Sequence, residues 1–440
     1  MTQPSTYRKY LLLLLVVLLA FNFMDRFAMG LVLQDIKTDL KLSDTQLGFV
    51  TGIAFAVFYS VMGIPIARWA DRGNRVTVIS LTAALWSVAV ALCGVAGNFA
   101  QLLLTRSAVA VGEAGGFVPG TSLLADYFGR AERPRALALY ALGGPLSIIV
   151  GYSLGGWLNE LYGWRVMFIL LGAPGLVLAA LARLTLQEPR RSNSTLRVVA
   201  TVQPDAALAV ELSLKHVCAT LWANATYRQL LLCLSVMFFF IYGIVQWQPA
   251  FFVRSYGLTA GQIGTWFAVI YGIGGVLGNY LGGELASRYA AHNEQLQLKV
   301  VMIAMACCAV LSTGIYLSPS HYLALALMGG VMFTLTACNG PVYATIQTLV
   351  PERMRAVSVA VVLFFANLIG MGLGPLAAGA LSDALRPRVG EESLRYALLI
   401  LAPGFLWAAW HAWRASKTVT RDLATALWEL EGPREQLHGW

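Results

Sequence analysis

Apolar runs of about twenty residues recur along almost the whole chain, starting with Tyr10 to Leu33. At a rise of about 1.5 Å per helical residue, each matches the hydrocarbon thickness of a bilayer. No water inside a bilayer can satisfy free backbone groups, so such runs fold as helices. We read twelve of them, at 10–33, 45–67, 76–97, 101–124, 134–158, 165–184, 229–252, 261–283, 297–318, 322–348, 354–381 and 394–414. Hydrophobic residues make up 58% of the chain and charged residues 12%. These helices therefore lack the polar faces a soluble helix needs. The fold class is an all-α polytopic membrane protein.

A net charge of +9 could suggest a nucleic-acid partner, but its placement argues otherwise. With an even number of spans, the basic clusters Arg8-Lys9, Arg68/Arg72/Arg75, Arg130/Arg133/Arg135, Arg190-Arg191 and Arg353/Arg355 all fall on one side. Basic loops stay cytoplasmic, so both termini are expected there, in a multi-pass protein of the cell inner (plasma) membrane. No nucleic acid is expected to bind. The N-terminus looks like a signal peptide, but no small-residue cleavage site follows and Asp25-Arg26 stands where cleavage would occur; the first helix is expected to stay. The six cysteines form no C-x-x-C pair and read as apolar packing residues. The histidines His216, His292, His321, His411 and His438 are read as lying in loops or at helix ends, unpaired at ligand spacing. No metal site or cofactor is expected, and neither P-loop, G-x-S-x-G nor H-E-x-x-H argues for an enzyme.

Polar residues concentrate once within the chain, at 186–228, which reads as a cytoplasmic linker with one amphipathic helix near 206–224. It separates an N-terminal half (1–185) from a C-terminal half (229–415), and 416–440 forms a cytoplasmic tail. The halves repeat each other. Glu132-Arg133-Pro134-Arg135-Ala136 after the fourth span is echoed by Glu352-Arg353-Met354-Arg355-Ala356 after the tenth. Gly144-Pro145 is echoed by Gly374-Pro375, both read as helix hinges. Parallel six-span repeats are a transporter architecture. The small face Gly274, Gly278 and Gly282 allows close or sliding helix packing.

Four ionisable residues interrupt apolar runs: Asp25 and Arg26 in the first, Arg106 and Glu113 in the fourth. Each charge costs about 3 kcal/mol to insert, so these groups should face protein or water. Arg106 and Glu113, seven apart, share one helix face about 10 Å apart along the axis. The depths of the two pairs bracket each other, so Asp25 can reach Arg106 and Arg26 can reach Glu113. Such a cluster can couple a proton to conformation, with Asp25 and Glu113 as carriers and Arg26 and Arg106 as charge partners or ligands of a substrate head group. It can equally be a fixed pair of salt bridges orienting one helix on another. The second half offers uncharged candidates for a substrate cavity, Gln246, Gln248, Asn339 and Asn367, beside Tyr242, Trp247, Tyr271 and Tyr343; Asn22 joins them from the first half.

The loop Ala67 to Arg75 is similar to G-x-x-x-D-R-x-G-R, the signature of the major facilitator superfamily between the second and third helices. Ala67 and Asn74 replace two of its glycines. The whole chain resembles that superfamily, which implies the major facilitator fold: twelve helices in two pseudo-symmetric halves and alternating access. The resemblance assigns Asp71, supported by Arg72 and Arg75, to a cytoplasmic gate facing the eleventh helix near Met354; the repeated loops Glu132-Arg133 and Glu352-Arg353 are placed with it. Within the superfamily, Asn22-Phe23-Met24-Asp25-Arg26, Gly63-Ile64-Pro65-Ile66-Ala67, Gly112-Glu113-Ala114-Gly115 and Tyr162-Gly163-Trp164-Arg165 resemble the bacterial branch of the Spinster family. Eukaryotic members carry sphingolipids or lysolipids. The expectation is a proton-coupled transporter of an amphiphilic small molecule, partnered by bilayer and protons, and monomeric. A proton-linked exporter of drugs or organic anions is the alternative. A membrane enzyme or a non-transporting sensor fits the residues less well.

Overall fold

A computed structural model describes residues 5–189, 220–290, 293–351 and 354–431. Glu352, Arg353 and most of the expected linker lie outside them. Among the described residues every regular element is helical. The first half comprises α1 (Ser5–Leu31), α2 (Leu33–Leu40), α3 (Asp44–Phe49), α4 (Phe55–Arg72), α5 (Arg75–Cys93), α6 (Phe99–Glu113), α7 (Phe117–Tyr127), α8 (Arg133–Ala141) and α9 (Gly143–Thr185). Then follow α10 (Ala225–Tyr256), α11 (Ala260–Tyr289), α12 (Glu294–Leu317), α13 (His321–Ala337), α14 (Asn339–Thr348), α15 (Arg355–Val389), α16 (Ser393–Leu401) and α17 (Phe405–Glu431).

Helix starts follow local chemistry. Ser43 and Gln46 form a reciprocal capping box on α3, Asn74 caps α5 through Thr77 N, and Asn98 caps α6 through Gln101 N. A π-helical stretch, Val50–Ala54, joins α3 to α4.

Among the described residues, ten helical stretches are long and apolar enough to cross a membrane. Two of them, 53 and 68 residues long, are far longer than one crossing. Each holds a glycine at positive φ, Gly163 at 78° and Gly390 at 60°. Side chains rarely adopt that conformation, so glycine is what allows the backbone to leave its helical path there. Dividing the two stretches at these glycines recovers the twelve spans.

The described residues sort into two compact units. One takes those within Met1–Pro204 with Gly243–Ile273 and Pro375–Ala397; the other takes those within Asp205–Tyr242, Gly274–Gly374 and Leu398–Trp440. In the first, glycines set how closely helices approach. A Cβ on Gly112 of α6 would lie 2.5 Å from the Trp86 backbone nitrogen of α5, and one on Gly155 of α9 would lie 3.0 Å from the Ala28 Cβ of α1. In the second, Tyr227 Oη donates to the Ser358 carbonyl at 2.8 Å, and Thr226 Oγ1 donates to Asp422 at 2.8 Å.

A stability comparison tests this glycine packing. Gly112→Ala should lower stability by roughly 1–3 kcal/mol, because the atoms it meets are backbone. At Gly63 of α4 a Cβ meets nothing within 4 Å, so Gly63→Ala should be neutral or stabilising by about 0.5–1 kcal/mol. Thermal unfolding in detergent reads both.

Candidate functional site

The charged residues of α1 and α6 meet inside the first unit. Arg106 Nη1 donates to Asp25 Oδ2 at 2.5 Å, and Arg26 Nε donates to Glu113 Oε2 at 2.6 Å. The carboxylates of Asp25 and Glu113 are fully buried; the Arg106 side chain is 3% exposed and that of Arg26 21%. Phe55, the first residue of α4, lies between the arginines, 4.7 Å from the Arg26 guanidinium and 5.2 Å from that of Arg106. Phe23 and Tyr59 complete an aromatic bracket around Arg26 at 4.7 and 4.8 Å. Rings that stabilise a guanidinium without a carboxylate give Arg26 an environment outside its ion pair. On each acid one oxygen holds the arginine while the other, Asp25 Oδ1 or Glu113 Oε1, is buried with no hydrogen-bond partner. That second oxygen is where a proton could be accepted.

The residues expected to line a substrate cavity are placed less uniformly. Asn22, one turn from Arg26 on α1, is 2% exposed and neither polar atom of its amide is hydrogen-bonded. It lines a small cavity of about 20 Å³ with Thr82, Trp86, Gly116 and Tyr140. That volume suits a single water rather than a substrate. Gln246 packs on Gly30, and Trp247 and Gln248 are buried, Trp247 Nε1 donating to the Pro375 carbonyl and Tyr271 Oη to Gln248. In the second unit, Tyr242 stands edge-on to Phe238, Asn339 donates to Asn279, Asn367 donates to the Leu363 carbonyl one turn back, and Tyr343 is partly buried.

The expected gate residues also divide. Asp71 and Arg72 are exposed in the last turn of α4. Arg75, expected to support Asp71, is instead wholly buried and turned inward. It binds Asp126 Oδ2 at 2.6 Å, Glu188 Oε1 at 2.5 Å and the Ser122 carbonyl at 2.8 Å. The cause is the charge balance: a buried guanidinium needs several acceptors, and the ends of α7 and α9 supply them. Glu132 pairs with Arg8, and Arg133 donates to the Ala125 carbonyl at 2.6 Å.

The two hinge candidates differ. The helix before Gly144-Pro145 breaks at Leu142, whereas α15 runs unbroken through Gly374-Pro375. His411 corrects its expected place at a helix end. It lies within α17, 5% exposed, with Nδ1 2.8 Å from Gln229 Oε1.

A further charge cluster was not anticipated. At the predicted outer end, Arg254 of α10 grips Asp44 bidentately at 2.8 and 2.7 Å, Lys37 binds Asp44 Oδ1 at 2.6 Å, and Ser382 of α15 donates to its Oδ2 at 2.7 Å. Burial, with Arg254 alongside, holds the Lys37 ammonium below the ordinary lysine range; Arg254, with two contacts to the carboxylate, is the more extensive partner of Asp44. Asp383 accepts from Asp44 N, Thr45 N and Thr45 Oγ1 at the start of α3, a favourable place for a carboxylate. Nothing in one dimension pairs residue 44 with 254 and 383.

The profile of the Major Facilitator Superfamily matches residues 15–375. An "MFS-type efflux pump" of Mycolicibacterium smegmatis is 32% identical over 407 residues, 91% of each chain. Human "Protein spinster homolog 1" is 28% identical, covering 83% of this chain and 71% of its own. The crystal structure of a bacterial homolog of the human lysosomal transporter Spinster, inward-facing and unoccupied, superposes with a TM-score of 0.82 at 29% identity. The match covers 95% of this chain and 99% of that one.

Truncating one partner of a buried pair strands the other charge. Arg106→Leu should therefore cost about 3–5 kcal/mol, and the double Asp25→Leu/Arg106→Leu should regain most of it. Equal midpoints for single and double variants would show that pairing is not what matters. At the Asp44 cluster, Arg254→Gln should cost about 2–3 kcal/mol, because it leaves buried Asp44 to Lys37 and Ser382 alone. Asp383→Asn, which weakens only a cap, should cost about 1 kcal/mol. The order of the two unfolding midpoints checks this ranking.

Proposed function

The chain belongs to the major facilitator superfamily, and on that premise we propose that it is a proton-coupled secondary transporter moving an amphiphilic, lipid-like substrate across the inner membrane by alternating access. The observation that carries the reading is the double ion pair Asp25–Arg106 and Glu113–Arg26, buried inside apolar helices. A proton arriving on either acid releases its arginine, whose charge then needs hydration, an anion or an aromatic face. A conformation that offers one of these binds the proton differently from one that does not. Each unit of difference in carboxyl pKa between the two access states contributes about 1.4 kcal/mol to the switch.

Glu113 is the first acceptor in this reading. Its partner Arg26 is the more exposed arginine and already leans on three rings, so it can give up its carboxylate at lower cost than Arg106. A freed Arg26 or Arg106 is then a ligand for an anionic head group. The likeness to Spinster proteins over most of the chain supports an amphiphile as cargo. Both termini are assigned to the cytoplasm from the distribution of basic loops, and the working unit is taken as a monomer. A second reading, a proton-linked exporter of drugs or organic anions, is favoured by the efflux-pump name of the 32% identical relative.

Spin labels at Arg130 and Lys299, and in a second sample at Gly97 and Pro319, would be followed by pulsed distance measurement in lipid from about pH 5 to 9, which brackets perturbed carboxyl groups. The two distances should change in opposite senses with pH. Glu113→Gln should remove the response, and Asp25→Asn should shift it. Distances indifferent to pH would overturn proton coupling. Thermal stabilisation by lysolipids, but not by soluble organic anions or hydrophobic cations, would favour the amphiphile over the exporter reading.

A further inference from the structure

The first turns of α1 and α8 enclose a cavity of about 460 Å³, in the size range of small-molecule sites. Its walls carry three cations, Arg8, Lys9 and Arg135, against one acid, Glu132. Glu132 is taken by Arg8, and the Arg8 guanidinium is held 4.6 Å over the Phe128 ring. Lys9 and Arg135 form no ion pair among the described residues. The positive excess is therefore real and local, and Arg8 is preorganised at its edge.

The apolar part of the wall lies one helical turn deeper on both helices. Leu12 follows Arg8 and Lys9 by four and three residues, and Leu139 follows Arg135 by four, a descent of about 5–6 Å. Leu139 is 40% exposed. The cavity thus has a cationic mouth above an apolar throat, at the level where the helices leave their hydrophobic stretch. A soluble anion would satisfy the mouth and leave the throat wet, whereas a peptide would have to enter the membrane surface.

We propose that this crevice binds one anionic phospholipid, its phosphate between Lys9 and Arg135 and the start of an acyl chain along Leu12 and Leu139. The site is separate from the Asp25–Glu113 cluster and does not depend on proton coupling. It requires only that these helix ends meet the membrane surface. On the topology proposed above, the lipid comes from the inner leaflet.

Native mass spectrometry of the full chain, delipidated in detergent and titrated with phosphatidylglycerol or phosphatidylcholine of identical acyl chains, tests this. The wild type should retain phosphatidylglycerol preferentially. Lys9→Gln/Arg135→Gln should lower its affinity about tenfold or more, given the usual contribution of each cation near an anionic lipid. Lys299→Gln, which removes an exposed cation elsewhere, should leave it unchanged. Leu139→Trp, which fills the throat but keeps the charges, should also reduce retention, and inorganic phosphate at millimolar concentration should not displace the lipid. Equal retention of the two lipids, or retention unchanged in both the Lys9/Arg135 and Leu139 variants, overturns the proposal. Displacement by inorganic phosphate alone does so too, by reducing the site to a simple anion patch.

Discussion

The pairing of Asp25 with Arg106 and of Glu113 with Arg26 is the constraint on which the first half depends. A single ionised group inside an apolar helix is expensive to insert, and two on α1 must be matched by two on α6. The seven-residue spacing of Arg106 and Glu113 puts both on one face, which sets the rotation of α6 and its depth relative to α1. Glycines then allow the approach: Gly112 lies against Trp86 of α5, and Gly155 of α9 against Ala28 of α1. Charge pairing sets the register, and small residues make it reachable.

The same logic recurs at other levels of the unit with different consequences. Arg75 ties the ends of α7 and α9 through Asp126 and Glu188, a static knot that a buried arginine needs. Asp44 gathers Lys37, Arg254 and Ser382 at the opposite end, from segments far apart in sequence. The membrane-embedded pairs differ from both, because each acid keeps one buried oxygen free of hydrogen bonds. A fully satisfied cluster resists change, whereas a half-satisfied one can take up a proton. That difference is why the embedded pairs, and not the other two clusters, anchor the functional reading.

Much of the fold was legible because bilayer physics is severe. Span length, apolar composition and the repeated Glu-Arg-x-Arg-Ala loops led to a twelve-helix transporter, and helical spacing was enough to suggest which acid meets which arginine. Arg75, expected in the gate, is held by Ser122, Asp126 and Glu188, partners that a loop motif does not name. His411 looked peripheral because its span ends nearby, yet α17 continues past it and buries it. Asn22, expected in a substrate cavity, borders a small cavity with Thr82, Trp86 and Tyr140, a setting that polarity in the sequence does not indicate.

By itself the sequence determined that this chain lives in a membrane, that its apolar runs are consistent with twelve spans, and that four charges inside it must find partners. Those conclusions rest on local quantities: run length, residue type and helical period. Only the tertiary structure decided that Asp44 belongs to Arg254 and Asp383, that Arg75 turns inward, and that Lys9 and Arg135 face one crevice. Each joins residues from different helices, and the free energy of burying a charge depends on what lies across the gap, which no one-dimensional pattern records.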